Sequence, residues 1–139
     1  MDVEVFGASL TIDETVVSQS PSELAAQIAG YERGERTAFD LDVSFPADFT
    51  GQAMAAMADI PFGETRTYGE LAAALDTAPV AVGGACGRNP IPIVVPCHRV
   101  VGHDSIGGFS ADVDDPLAFK RRLLDHERRS VDHEVDSAT

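Results

Sequence analysis

A cysteine and a histidine stand side by side at Cys97 and His98, after prolines at positions 90, 92 and 96. Thiolate is the nucleophilic form of cysteine, and a neighbouring histidine is a usual means of generating it near neutral pH. The prolines exclude a regular helix or a central strand, so Cys97 should lie on a stiff loop, where functional groups concentrate. The simpler alternative is that Cys97 is a small buried apolar residue. The proline-rich setting favours a nucleophile.

The sequence around Cys97 resembles the active-site signature of the O6-alkylguanine-DNA alkyltransferases, also called methylated-DNA–protein-cysteine methyltransferases. The run that carries the resemblance is Asn89-Pro90-Ile91-Pro92-Ile93-Val94-Val95-Pro96-Cys97-His98-Arg99-Val100. The similarity extends from about Phe45 to Glu127, most of the chain. It implies a DNA repair protein that flips O6-alkylguanine out of duplex DNA and moves the alkyl group irreversibly to its own cysteine. O4-alkylthymine is a further candidate substrate.

The resemblance also implies a role for each residue that matches the family motif. Cys97 would be the nucleophile, His98 a base acting through a bound water, and Glu127 the group that orients His98. Tyr68 matches a proton donor, and Asn89 a hinge between the active loop and the recognition helix. The substrate pocket is expected at Tyr68, Cys97, Val100, Phe109 and Ser110. DNA contacts are expected at Thr67, Tyr68, Val80, Ala81, Gly84 and Arg88. S-alkylcysteine is a stable thioether, so each molecule should react once, and no cofactor or metal is implied.

A helix-turn-helix is predicted upstream of the active loop. Thr67-Tyr68-Gly69-Glu70 has the form of a capping box that starts one helix, and Pro79 starts a second over residues 79–86. Two glycines in this second helix, Gly83 and Gly84, each cost about 1 kcal/mol relative to alanine. Either a neighbouring helix packs closely against them or a nucleic-acid groove approaches the backbone. In the family this helix enters the minor groove, but the family's inserted arginine is matched here by Val80. An apolar side chain can still wedge a base step, and nearby Arg88 is a candidate to compensate for the arginine, although in a different register.

The predicted fold is α+β, with a small abbreviated N-terminal α/β subdomain over residues 1–45 and a mainly helical DNA-binding domain over residues 46–127. The subdomain should contain strands at residues 2–12 and 39–45 around a helix capped by Ser20, and no chemistry is visible in it. The second domain holds the helix-turn-helix, the active cysteine loop and helices over residues 50–60 and from Pro116. The basic run 120–122 is expected to form a solvated face, and residues 128–139 a disordered tail.

The net charge of the chain is unfavourable for binding to DNA, the expected partner. There are 23 acidic residues against 10 basic ones, a net charge of −13, and Lys120 is the single lysine. DNA-binding proteins usually carry a basic footprint. An acidic, lysine-poor surface is typical of a protein from a halophile. In molar salt the Debye length shortens to ~3 Å, so repulsion between the acidic protein and the phosphates of DNA is screened.

Other features of the sequence indicate the cellular compartment and the kinds of partner. No apolar run approaches the ~20 residues of a membrane span, and two cysteines with ten residues between them match no zinc or redox spacing. We expect a cytoplasmic protein with double-stranded DNA as its partner and no membrane association. The resemblance implies a monomer.

Other functions use parts of the same pattern. A cysteine hydrolase would use the Cys-His pair, but it should turn over and needs oxyanion donors that the sequence does not reveal. A lesion-binding relative of the alkyltransferases would keep the helix-turn-helix, but such relatives replace the active cysteine. A regulatory helix-turn-helix protein needs side chains that read bases, and residues 80–85 offer none. The hydrolase and the lesion-binding protein remain the alternatives.

Overall fold

The computed structural model describes residues 1–109, 111 and 113–138, with side chains through residue 131. The chain begins with an antiparallel hairpin of β1 (Asp2–Val5) and β2 (Ala8–Thr11). The sequence predicts one strand over residues 2–12, which is wrong. The chain reverses at Phe6 and Gly7, whose φ angles of 51° and 79° lie in the left-handed region that glycine adopts at no steric cost.

Helix α1 (Pro21–Glu32) begins as the sequence predicts, with the Ser20 hydroxyl accepting from the Glu23 backbone N–H at 3.1 Å. Residues 39–45, predicted as a strand, make only an isolated bridge between Val43 and Val17. Phe39, Leu41 and Val43 pack half-buried against the core, whereas Phe45 is exposed. Only the short segment around Val17 runs alongside them, so no ladder forms.

The rest of the chain is mainly helical. Its elements are α2 (Phe49–Ala58), β3 (Arg66–Thr67), α3 (Tyr68–Ala74), α4 (Pro79–Gly87), β4 (Val100–Val101) and α5 (Pro116–Ala138). The capping box at the start of α3 is complete, because Thr67 and Glu70 each accept from the other's backbone N–H, at 3.0 and 2.9 Å. Strands β3 and β4 pair in parallel and tie the start of α3 to the end of the active loop. No helix in the described part of the chain is long and apolar enough to cross a membrane.

One apolar core joins both parts of the chain. Its buried members come from the hairpin, α1, α2, the active loop and α5, and include Val5, Leu10, Leu24, Met54, Met57, Ile91, Val100 and Leu123. The loop that carries Cys97 is therefore supported from the N-terminal segment as well as from the helices. The division into two units at residue 45 stays a prediction.

Helix α5 continues past residue 127, to residue 138. Ser130 Oγ donates to the His126 carbonyl at 2.8 Å, and Val131 lies so close to Gly63 that a Cβ on Gly63 would collide with it. The disordered tail over residues 128–139 stays a prediction, whereas one prediction about the start of this helix is wrong. Lys120, expected on a solvated face, is fully buried next to Leu123, although Arg121 and Arg122 are exposed. Helical spacing turns residue 120 inward with residue 123.

Candidate active site

The loop before Cys97 is held by the side chain of Asn89. Its Nδ2 donates to the Val95 carbonyl at 2.8 Å, and its Oδ1 accepts from the Ile91 N–H at 3.0 Å. Ile93 has a φ of 77°, a conformation that a β-branched residue adopts only where its surroundings enforce it. The loop ends in a buried 3₁₀ turn, Cys97–Arg99. Three consecutive polar side chains are thus held rigidly inside the protein.

His98 and Glu127 form a buried pair between this turn and α5. His98 Nε2 lies 2.5 Å from Glu127 Oε2, and neither side chain is more than 2% exposed. Because the carboxylate accepts, Nε2 carries the hydrogen and Nδ1 carries the lone pair. Nδ1 is buried and has no hydrogen-bond partner among the described residues. The ring therefore keeps one nitrogen available to accept a proton.

Three further groups complete the shell of Glu127. Arg99 donates to both carboxylate oxygens, from Nε at 2.8 Å and from Nη2 at 3.1 Å. The Gly63 N–H donates to Oε1 at 3.0 Å, and the Tyr31 hydroxyl donates to Oε2 at 2.7 Å. Nothing in the sequence predicts a role for Arg99 or Tyr31. Tyr31 is 96 residues from Glu127 along the chain, so no local pattern could have paired them.

The charges of this cluster follow from its geometry. Burial by itself would raise the pKa of Glu127, but the hydrogen bonds and positive charge of His98 and Arg99 outweigh burial and hold that pKa well below its usual range. Burial lowers the pKa of His98, although the hydrogen bond to Glu127 and the attraction of its charge act in the opposite direction. Arg99 is permanently charged, so Glu127 stays ionised whichever state His98 adopts. The resting pair is a neutral imidazole on a carboxylate.

Cys97 is a protonated thiol at rest. Burial raises its pKa to about 11, while a hydrogen bond from Asn89 and the charge of Lys120 act in the opposite direction. Lys120 Nζ donates to the carbonyls of Val100 and Gly108, at 2.7 and 2.9 Å. A base must therefore take the thiol proton before sulfur can attack, and Lys120 supplies the positive charge that favours the thiolate. Its spacing of seven residues from Glu127 on α5, two helical turns, could have revealed that both face inward.

A cavity of about 380 Å³ opens beside Cys97. It is lined by Tyr68, Pro79, Val80, Gly83, Cys86, Gly87, Cys97, Gly108 and Phe109. Burial raises the pKa of Tyr68 to about 12, and its hydroxyl donates to the Gly108 carbonyl at 3.2 Å. Gly107 lies against Tyr68, because a Cβ on Gly107 would be only 2.7 Å from the Tyr68 ring. Its φ of 74° also favours glycine. The cavity thus combines an apolar wall, a hydroxyl and a thiol.

Two residues predicted for this pocket are not among its described lining residues. Val100 is buried, and its carbonyl accepts from Lys120 Nζ, which also donates to the carbonyl of Gly108 in the lining. Ser110 lies outside the described residues.

The outer face of α4 is almost bare. Val80 is 82% exposed, and no heavy atom of the described chain lies within 4 Å of a Cβ built on Gly83. A Cβ on Gly84 would meet only the flexible side chain of Arg88. The alternative of a closely packed neighbouring helix therefore does not hold at these glycines, and their side of the helix is open to an external partner.

The other residues predicted to contact DNA surround this face. Thr67 and Ala81 are half-buried, and Arg88 is exposed. The Arg88 Nε donates to the Thr50 hydroxyl at 2.9 Å, which ties the guanidinium to α2. The compensation of the missing arginine by Arg88 stays a prediction.

The family model for the DNA-binding domain of 6-O-methylguanine DNA methyltransferase matches residues 48–129. Curated relatives named methylated-DNA–protein-cysteine methyltransferase include one from Archaeoglobus fulgidus, 42% identical over 110 residues, which are 77% of this chain and 75% of that one. Another, from Methanocaldococcus jannaschii, is 44% identical over 84 residues, 60% of this chain and 48% of that one. The chain thus spans three quarters of the first relative and about half of the second.

Solved structures of similar proteins agree. The crystal structure of the Mycobacterium tuberculosis O6-methylguanine methyltransferase superposes with a TM-score of 0.70 and 39% identity, over 78% of this chain and 66% of that one. The OGT of the same organism in complex with DNA superposes with a TM-score of 0.70 and 38% identity, over 78% and 68%. The matched region contains the buried Cys97, the His98–Glu127 pair and the open helix α4, and the chain belongs to the family of the 6-O-methylguanine DNA methyltransferases.

Proposed function

We propose that this chain is a DNA repair protein that transfers the alkyl group of O6-alkylguanine in double-stranded DNA to Cys97 Sγ. The observation that carries the proposal is the buried arrangement of Cys97, His98 and Glu127. Cys97 lines a cavity that opens beside α4, and His98 is paired with Glu127. The names of the relatives and the DNA complex of a similar structure support the same activity. The displacement uses groups of this chain and one bridging water.

The reaction is an SN2 displacement at the alkyl carbon. The thiol proton passes to His98 Nδ1, through a bridging water, while Glu127 holds the Nε2–H and stabilises the imidazolium that forms. The bond between Sγ and carbon forms as the bond between carbon and guanine O6 breaks. The departing guanine would take a proton from the hydroxyl of Tyr68, which lines the cavity. The imidazolium proton of His98 then returns to the tyrosinate oxygen through water, so that the net change is transfer of the alkyl group to Sγ and of the thiol proton to guanine. The product is a thioether with no leaving group for hydrolysis, so each molecule acts once.

We propose that the cavity receives the extruded base. The ring of Phe109 would stack on the base without the hydroxyl that a tyrosine would add. Tyr68 would contact the edge of the base. Lys120 fixes both sides of the cavity mouth, because it bonds the Val100 carbonyl after the active turn and the Gly108 carbonyl beside Phe109. Asn89 would serve as the hinge, since it bonds the loop at both Ile91 and Val95.

We propose that α4 enters the minor groove. A helix face made of Ala81, Gly83 and Gly84 lets its backbone approach DNA closely, and minor-groove readout is degenerate, which suits repair in any sequence. Thr67, Tyr68 and Arg88 would contact the flanking backbone. Val80 would fill the gap left by the extruded base, because it is the large apolar residue that α4 leaves exposed and apolar wedges can unstack a base step.

Val80→Ser tests this wedge. We expect transfer from duplex DNA to slow about tenfold, because a hydroxyl does not replace a stacked base as an apolar side chain does. Transfer from free O6-benzylguanine, which needs no extrusion, should slow by no more than about twofold, the allowance being for Val80 as a residue of the cavity lining. Leu117→Ser is the matched control, since Leu117 is also an exposed apolar residue but lies on α5. Equal slowing of both substrates would contradict the wedge.

The proposed function is tested by incubating the protein with duplex DNA that carries methyl-labelled O6-methylguanine, from dilute buffer to molar salt. We expect one equivalent of label per protein and no further turnover. The net charge of −13 predicts that transfer rises with salt as repulsion from phosphates is screened. Repeated turnover would favour the hydrolase, and binding without label would favour the lesion-binding protein.

We further propose that the protein acts as a monomer in the cytoplasm. A reducing compartment keeps thiols reduced, and both cysteines of this chain are free. Size-exclusion chromatography of the full chain, before and after addition of duplex DNA, tests the monomer.

A further inference from the structure

Tyr31 brings the N-terminal segment into the site. It lies on α1, its side chain is fully buried, and its hydroxyl donates to Glu127 Oε2 at 2.7 Å. Burial and the neighbouring charge of Glu127 raise the pKa of Tyr31 far above its ordinary value, so the hydroxyl keeps its hydrogen. Of the groups that donate to Glu127 in the described part of the chain, this is the one that comes from residues 1–45.

The hydroxyl is held in place from two directions. His126 Nε2 donates to the backbone carbonyl of Tyr31 at 2.8 Å, which joins α1 to α5 one residue before Glu127. The Tyr31 ring packs against three aromatic rings, those of Phe39, Phe62 and His126, with centroids 5.9, 6.0 and 5.1 Å away. The position of the hydroxyl oxygen is therefore set by packing as well as by its bond to the carboxylate.

We propose that Tyr31 is a positioning residue of the transfer site, which acts on Cys97 through Glu127 and His98. The inference rests on the proposed function of that triad. Residues 1–45 then contribute to the reaction through Tyr31, although their sequence shows no catalytic motif.

The effect of the hydroxyl can be given a direction. Tyr31 shares the negative charge of Oε2 with His98 and Arg99, so it weakens the pull of Glu127 on the His98 N–H. Without the hydroxyl, the carboxylate attracts an imidazolium more strongly, and an imidazolium in turn stabilises a thiolate at Cys97. The other charged and titratable groups around the pair, namely Arg99 on the active turn and Lys120 and His126 on α5, are unchanged. Removal of the hydroxyl should therefore shift thiolate formation to lower pH.

Tyr31→Phe removes the hydroxyl and keeps the ring. The readout is the rate at which iodoacetamide alkylates Cys97 as a function of pH, followed by mass spectrometry. Trypsin cleaves after Arg88 and Arg99 and so separates Cys97 from Cys86. Loss of one hydrogen bond to a charged group predicts that the midpoint of this profile falls by about one pH unit.

Phe39→Leu is the matched control, because Phe39 belongs to the same aromatic cluster but donates nothing to Glu127. It should lower the thermal unfolding temperature and leave the midpoint unchanged. Tyr31→Leu, which removes the ring as well, should show the midpoint of Tyr31→Phe with a larger loss of stability. This pattern would support a positioning role of the hydroxyl.

A midpoint in Tyr31→Phe that equals the wild-type value, or one that moves equally in Phe39→Leu, would overturn the inference and leave Tyr31 as a core residue. The iodoacetamide profile needs no DNA. Failure of the wild-type protein to take label from O6-methylguanine duplex would therefore count against the proposed function alone, and the profile would still decide the role of Tyr31.

Discussion

Replacement of Cys97 by alanine is expected to abolish transfer of the methyl label from O6-methylguanine duplex to the protein and to leave binding of that duplex intact. Sγ is the atom that accepts the alkyl carbon in the proposed reaction, and alanine has no atom that can take its place. The side chain is only 4% exposed, but the change removes one sulfur atom from a loop held by its own hydrogen bonds. The free energy of unfolding should therefore fall by only about 1 kcal/mol.

Cys86→Ala is the control for this variant, because Cys86 lines the same cavity. Burial raises the pKa of Cys86 to about 12, and it has no neighbour equivalent to His98 in sequence. The control should still take up one equivalent of label, located on Cys97 by peptide mapping. Label found on Cys86 in the Cys97→Ala protein would contradict the assignment of a single acceptor.

The local elements of this fold could be predicted because their signals are local. The Thr67–Glu70 capping box and the Ser20-Pro21 start are complete within four residues. The strand over residues 39–45 was mispredicted because alternation reports which side chains are buried and says nothing about a partner strand. The hairpin was missed because its turn uses Phe6 at positive φ, which no residue preference marks.

The residues of the site also fall into two groups, those that a local motif reveals and those that only the tertiary fold brings together. Cys97 and His98 are adjacent in the sequence, and their motif is specific. The groups that complete the site come from distant segments, since Glu127 is bonded to Tyr31 across 96 residues and to Gly63 across 64. Lys120 was misplaced because a basic run on a helix is usually solvated, whereas here two backbone carbonyls satisfy a buried ammonium. Only the tertiary fold decides which of these polar groups are buried together.

Glu127→Gln is expected to lower the free energy of unfolding by about 3–5 kcal/mol, the usual cost of breaking a buried ion pair by removing one partner. An amide offers one acceptor oxygen where the carboxylate accepts from Arg99, His98, Tyr31 and Gly63, and its NH₂ would face one of these donors. Because His98 also loses the charge that orients it, single-turnover transfer should slow by about a hundredfold. Denaturant unfolding and quenched-flow labelling measure the two effects.

Glu64→Gln is the matched control for charge removal. Glu64 pairs with Arg66 at 3.1 Å, but its side chain is 52% exposed, so its loss should change the free energy of unfolding by about 0.5 kcal/mol or less. Transfer should be unaffected. A loss of stability as large as that of Glu127→Gln would show that net charge, rather than the buried pair, controls folding.

The pH dependence of the Glu127→Gln effect has a defined sign. The pKa of Glu127 in the folded protein lies well below its usual range, so its stabilisation is complete above the unfolded pKa of about 4.3 and is lost as the pH falls toward the folded value. The difference in free energy of unfolding between the two proteins should therefore be constant from about pH 8 to pH 5 and narrow below about pH 4. Because Arg99 keeps its charge throughout this range, a difference that did not narrow would show that the ionised carboxylate does not stabilise the fold.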